Sequence, residues 1–251
     1  MPHVVSDREE VTKLPVVMSW SGGKDSALAL HELLNANQYD VVALLTSVSE
    51  EYRRISHHGV REALLEQQAE AIGIPLHVVY LPSGGSQPCT NEVYEQIMGE
   101  VMATYKAQGV ETVAFGDLFL EDLRAYRERN LAKAAMRGLF PLWKRDTAKL
   151  ARDVIAMGFK SYLSCVEGKV GTGFVGRPYD HDLLAALPAE VDPCGEYGEF
   201  HTFVYDGPIF KRPVTVTVGE IVMRDGRHYA DLLPGAFAAA GEYEASGVPP
   251  V

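Results

Sequence analysis

The apolar positions of this chain alternate between two rhythms. Leu14 to Trp20 (LPVVMSW) is a nearly continuous apolar run of strand length, and Tyr39 to Val48 and Ile74 to Leu81 are two more. Between them, Asp25 to Asn35 and Gly59 to Ile72 have helical spacing, the second with Val60, Leu64, Leu65, Ala69 and Ile72 on one face. The pattern continues with a helix from Glu92 to Gln108, a strand Glu111 to Gly116 and a helix from Leu123 to Arg137. A short apolar run Leu139 to Trp143, a helix Thr147 to Met157 and a strand Lys160 to Val166 complete it. Strands apolar on both faces, each followed by a helix, predict an α/β fold with an open parallel sheet covered by helices on both sides.

After Glu167 the texture changes. Glycines punctuate GKVGTGFVGRP, and short β patterns follow at Phe200 to Tyr205, Val214 to Val222 and His228 to Leu232, with Arg224-Asp225-Gly226 as a hairpin turn. The expected organisation is a first unit over residues 1–167, a small α+β unit over 168–235, and a loose tail over 236–251. A chain of 251 residues accommodates this with a sizeable core.

Charge narrows the choice of partners. The net charge of −11 argues against unspecific binding to nucleic acid or anionic membrane, which rests on clustered Lys and Arg. No run approaches the ~20 apolar residues of a membrane span, and the start MPHVVSDREEVTK lacks a signal-peptide core, so a cytoplasmic location is expected. One segment departs from the acidic average: from Glu121 to Asp153 there are nine Lys or Arg against five Asp or Glu. Arg124, Arg127, Arg129, Lys133, Arg137, Lys144 and Arg145 either salt-bridge along helix faces or clamp a polyphosphate or anionic substrate. Trp143 reads as core. Cys89, Cys165 and Cys194 are odd in number and never in a CxxC pair, which suggests neither a disulfide framework nor a zinc site. A homodimer is compatible with this composition.

The most informative string is Ser19-Trp20-Ser21-Gly22-Gly23-Lys24-Asp25-Ser26, between the first strand and the first helix. Gly22 and Gly23 let the backbone approach a phosphate, successive N–H groups make an anion nest, and the helix N-terminus adds partial positive charge. Ser21 and Ser26 can donate hydroxyls and Lys24 a point charge, while Asp25 can cap the helix or help hold Mg2+. The bland alternative is a glycine turn before a capped helix. It is not a Walker A loop, since Asp25 follows Lys24 and Met18 stands where that motif needs glycine.

SGGKDS resembles the pyrophosphate (PP) loop of the ATP pyrophosphatases, which include GMP synthetase, asparagine synthetase, NAD synthetase and tRNA-modifying ligases. The resemblance implies a five-stranded adenine-nucleotide α-hydrolase-like (HUP) sheet. It also implies cleavage of ATP between the α and β phosphates, transfer of AMP to a carboxylate or carbonyl oxygen, and displacement of AMP by a nucleophile such as ammonia.

A second string, Cys194-Gly195-Glu196-Tyr197-Gly198-Glu199-Phe200-His201-Thr202-Phe203, places two Gly-Glu units three residues apart before a strand. Glu196 and Glu199 at that mouth suit a metal or amine site, or simply cap the strand. Together with SGGKDS and Phe115-Gly116-Asp117, this string resembles the diphthine–ammonia ligase-like family over residues 15–235. That family's second motif tends to read E-G-G-E-[FY]-E-[TS], whereas here His201 takes the acidic place and Tyr197 interrupts the glycine pair. The His-containing version is similar to a bacterial subgroup proposed to act in corrinoid salvage. The implied activity is an adenylating amide ligase using ATP and Mg2+ on a small or protein-borne carboxylate other than diphthine. Ammonia would be free or delivered by a partner, since no N-terminal Cys or glutaminase segment is present.

On this reading Lys24 and the loop amides stabilise leaving pyrophosphate, and Glu196 and Glu199 position ammonium or substrate. His201 acts as general base or substrate ligand, or else hydrogen-bonds within its strand. Gly116 and Asp117 end a strand whose carboxyl edge is where ligands gather, and Asp117 either contacts ATP or its Mg2+ alongside Asp25 or is a plain loop carboxylate, with Asp122 a weaker candidate. Thr46 and Ser47 neighbour adenine or ribose. His57 and His58 cannot share one helical face, so one contacts phosphate or substrate or both lie in a solvated loop. Two alternatives stand beside this reading: a non-catalytic ATP-binding regulatory protein, and a tRNA-modifying PP-loop ligase. The acidic chain and the lack of paired cysteines and of an added RNA-binding domain count against the second.

Overall fold

The structure, a computed structural model, describes residues 12–55, 58–82 and 89–235; the expected tail and His57 lie outside the described residues. β1 (Leu14–Ser19) is the centre of the first sheet, and Val16, Val17 and Met18 are fully buried because both of its faces are covered. It pairs in parallel with β2 (Tyr39–Ser49) on one side and β4 (Thr112–Ala114) on the other. β3 (Leu76–Leu81) and β5 (Arg137–Leu139) complete the order β3-β2-β1-β4-β5, all parallel, the five-stranded HUP-type sheet expected.

Side-chain alternation along β1 divides the core in two. Met18 and Trp20 join α1 (Lys24–Asn35), α2 (Glu62–Ile72) and α5 (Thr147–Ala156), while Val17 joins α3 (Asn91–Ala107) and α4 (Glu121–Lys133) on the opposite face. Thr90 and Asp146 cap α3 and α5 by accepting the amides of Val93 and Lys149. Gly73, at φ +85, ends α2 in the left-handed conformation a helix terminus favours.

Two elements differ from the sequence pattern. The helix expected to reach Arg137 stops at Lys133: Ala135 turns to φ +51, and Arg137 to Leu139 form β5 against Thr112 to Ala114. β6 (Lys160–Glu167), which the βα rhythm placed with the parallel strands, instead pairs antiparallel with β7 (Phe200–Asp206) and β9 (Arg227–Pro234). Its run Leu163 to Val166 is buried on both faces, so by hydrophobicity it looks the same as a central parallel strand. With β8 (Val216–Arg224), these strands make a second sheet of order β7-β6-β9-β8. Between β6 and β7 lies α6 (His181–Ala186), a short helix whose first turn is fixed by the Asp180 carboxylate on the Leu183 amide.

The two sheets share one core. Leu163, Phe200 and Phe203 of the second pack into the same cluster as Met18, Leu28 and Leu65 of the first. The polar ends of this contact meet at the SGGKDS loop. Among the described residues, no helix is long and apolar enough to cross a membrane.

Candidate active site

The loop between β1 and α1 is held from two directions. Gln68 of α2, fully buried, accepts from Trp20 Nε1 at 2.9 Å and donates to the Gly22 carbonyl at 3.0 Å and the Val204 carbonyl at 2.5 Å. β7 reaches the same loop. The Val204 amide donates to the Gly22 carbonyl at 2.9 Å, and Thr202 Oγ1 accepts from the Lys24 amide at 3.0 Å. Within the loop, Ser21 Oγ lies 3.1 Å from Ser26 Oγ, which also bonds the Gly23 carbonyl. Gly22 sits at φ +73, and a side chain there would press on Gln68 and Leu65. Gly116 touches the first turn of α1 so closely that a Cβ would stand 2.7–2.9 Å from the backbone of Asp25 and Ser26.

Lys24 was expected on the phosphates. Its ammonium instead bonds both oxygens of Asp25, at 2.8 and 3.0 Å, and the Cys194 carbonyl, between the faces of Tyr179 and Phe200. Burial works to lower its pKa, but the charge and hydrogen bonds of Asp25 outweigh that and keep it raised, so the ammonium stays charged. This lysine therefore joins the two sequence signatures.

The second signature folds back on itself. Gly195 and Gly198 adopt φ +71 and +82, which turns Glu199 inward, where it is 1% exposed and accepts from the Asp192 and Tyr197 amides at 3.1 and 2.9 Å. Glu199 thus shapes the loop rather than standing at its mouth. Glu196 faces the first sheet: its Oε1 accepts from the amides of Leu118 and Phe119 at 2.8 and 3.3 Å, directly after Gly116-Asp117. Burial pushes its carboxyl up to about 7, with Asp25 adding to the rise and the two amides opposing it. Burial also pushes the Cys194 thiol up to about 12, so it is a neutral thiol at physiological pH.

The remaining candidates are distributed around this centre. Asp117 holds Arg127 through both oxygens, at 2.6 and 3.1 Å. Much of the basic segment is likewise paired: Lys133 with Glu95, Lys144 with Glu121, Arg145 with Glu32, while Arg124 bonds Glu128 and lies over Phe140 and Trp143. Among the described residues, no three His, Cys, Asp or Glu side chains converge on a metal position. Mg2+ commonly needs only one or two carboxylates beside substrate phosphates, and Asp25, its side chain 30% exposed in the first turn of α1, fits that demand. His201 stacks on His58, and both lie at the edge of the loop.

The profile of the diphthamide synthase N-terminal domain matches residues 14–137, and that of the diphthamide synthase C-terminal domain matches residues 146–233. The chain belongs to the diphthine–ammonia ligase-like family. Its relatives include proteins named diphthine–ammonia ligase from Danio rerio, 27% identical over 84% of this chain and 89% of that one, and from Mus musculus, 28% identical over 84% and 85%. The human protein of the same name is 27% identical over 84% of this chain and 85% of its own. A tRNA thiolase of Methanococcus maripaludis shares a TM-score of 0.36 at 18% identity over 59% of each chain. As a member of the diphthine–ammonia ligase-like family, the chain is an ATP-dependent ligase.

One feature of this family member was not readable from its motifs. On the α3 and α4 side of the sheet, a cavity of about 200 Å³ opens beside Ser19 and Phe115 at the carboxyl ends of β1 and β4. Leu45, Met98, Met102 and Leu131 supply apolar walls, and Tyr94, Tyr126 and Asn130 polar groups. Thr46, expected near adenine, is buried and not among the lining residues; its neighbour Leu45 is, because successive residues of β2 face opposite ways.

Proposed function

We propose that this chain activates a carboxylate with ATP and converts it to an amide with ammonia. A carboxylate oxygen attacks the α phosphorus, the bond to the bridging oxygen breaks, and pyrophosphate leaves with the electron pair. Ammonia then attacks the acyl carbon, AMP departs, and the nitrogen loses a proton. The observation that carries this reading is the meeting of the two signatures: Glu196 is fixed on the amides that follow Gly116-Asp117, and Lys24 and Thr202 tie the SGGKDS loop to the strand of the second signature.

In this reading the amides of Gly22, Asp25 and Ser26 and the Ser21 and Ser26 hydroxyls receive the β and γ phosphates. The cavity beside Ser19 and Phe115 receives the base and ribose at the carboxyl edge of the sheet. Mg2+ held by Asp25, with Asp117 behind it, would neutralise charge building on the phosphates. Glu196 orients ammonia or the ammonium it comes from, and Glu199 keeps that loop in shape. Lys24 works through Asp25 and Cys194. The string GEYGEFHT, with His201 where the family pattern has an acidic residue, supports an acceptor other than diphthine, such as a corrinoid side-chain carboxylate. ATP labelled at the α and γ positions, incubated with ammonium and candidate acids, should yield AMP and pyrophosphate only when an acceptor is present. ADP and orthophosphate as the products would overturn the proposal.

A further inference from the structure

The loop's own lysine is consumed inside the protein by Asp25 and the Cys194 carbonyl, which leaves backbone amides and hydroxyls to face a polyanion. Imidazole and guanidinium side chains stand at the loop's other edge. His58, at the entry to α2, and His201, on β7, stack with ring centroids 4.2 Å apart and planes inclined by 29°. The stack borders the loop: a Cβ at Gly23 would lie 3.4 Å from His58 Cε1. Arg227 of β9 brings Nη1 to 3.5 Å from His201 Nε2 while bonding the Gly198 carbonyl and Glu167, a carboxylate that faces this group. All three side chains are half-buried, and three separate elements deliver them to one place.

We propose that His58, His201 and Arg227 form a second oxyanion site at the edge of the phosphate loop, for a phosphate or carboxylate group of the bound substrates. N–H donors on imidazole and guanidinium make strong bonds to oxyanions, and an arginine fork suits planar or tetrahedral groups alike. The proposal rests on the ATP reading where the anion is the terminal phosphate. Where it is a carboxylate, the acceptor carries more than one.

Binding of ATP, AMP, inorganic pyrophosphate and propane-1,2,3-tricarboxylate to the full chain, to His58→Gln and to His201→Gln separates the sources. A five- to twentyfold loss for ATP and pyrophosphate with AMP unchanged assigns the site to the terminal phosphates. An equal loss confined to the tricarboxylate assigns it to the acceptor. Four unchanged affinities, or AMP weakened as much as ATP, overturn the site. In the unsubstituted protein, whichever anion binds should move the imidazole C2 proton resonances of His58 and His201 and leave those of half-buried His31, packed against Phe159, in place, a readout that needs no variant. An unsubstituted protein that binds pyrophosphate or tricarboxylate but not ATP refutes the ATP reading and leaves the site standing.

Discussion

Glu196 concentrates the chemistry of this site in one side chain. Burial raises its carboxyl to about 7 from an ordinary value near 4.5, so the folded chain prefers it protonated. The stability it contributes is complete below about 4.5 and is lost as pH rises through about 7, where a partly buried charge has to be carried. Glu196→Gln keeps the shape and removes that charge. At pH 8 the variant should melt no lower than the parent, and up to about 2–4 °C higher, while amide formation falls at least 100-fold. A variant that keeps full activity, or melts well below the parent, would remove Glu196 from the proposed role. The types of these residues are legible in the sequence, but their directions are not: Lys24 turns toward a carbonyl 170 residues away, and Glu199 turns inward on two glycines at positive φ.

At the scale of elements, α2 does more than cover the sheet. Its Gln68 binds the Trp20 indole and the carbonyls of Gly22 and Val204, and so couples the phosphate loop to β7. Gln68→Ala leaves these buried groups without their partner, and unsatisfied groups of this kind cost about 1–3 kcal/mol. Urea unfolding should show a loss of about 2–3 kcal/mol, with weaker ATP binding. A loss under half a kcal/mol, as at a plain surface site, would contradict the coupling. The apolar periodicity located nearly every strand and helix because each buries an extended face. It misassigned β6, since a strand buried on both sides carries no mark of its neighbours' direction.

Across the whole molecule, the second sheet is also anchored to the first through the β2–α2 connection. Asp231 of β9 receives Arg61 at 2.7 and 2.9 Å and Arg54 at 2.8 Å, both from the β2–α2 connection. The Arg61 hydrogen bonds, with Arg54 helping against a small cost of burial, hold this carboxyl down at about 2 against an ordinary 3.8. Its contribution is therefore complete above about pH 4 and lost as pH falls through about 2. With a quarter of the side chain exposed, Asp231→Asn should cost about 1–2 kcal/mol at pH 7, and the gap should close as acid is added. Denaturant curves for both proteins from pH 7 to 3 give the measurement, and a gap independent of pH would refute it. The basic stretch from Glu121 to Asp153, which by sequence could have clamped a polyphosphate, is largely spent on ion pairs.

Local chemistry sufficed for the parallel sheet, the phosphate loop and the two signatures, because burial pattern, glycine freedom and helix-terminus charge act over a few neighbouring residues. The partners of Lys24, Gln68 and Asp231, the inward turn of Glu199, the pairing of β6 and the cavity over α3 and α4 were decided only by the tertiary structure. Each of these depends on which distant segment arrives alongside, and that is set by how both sheets close one shared core.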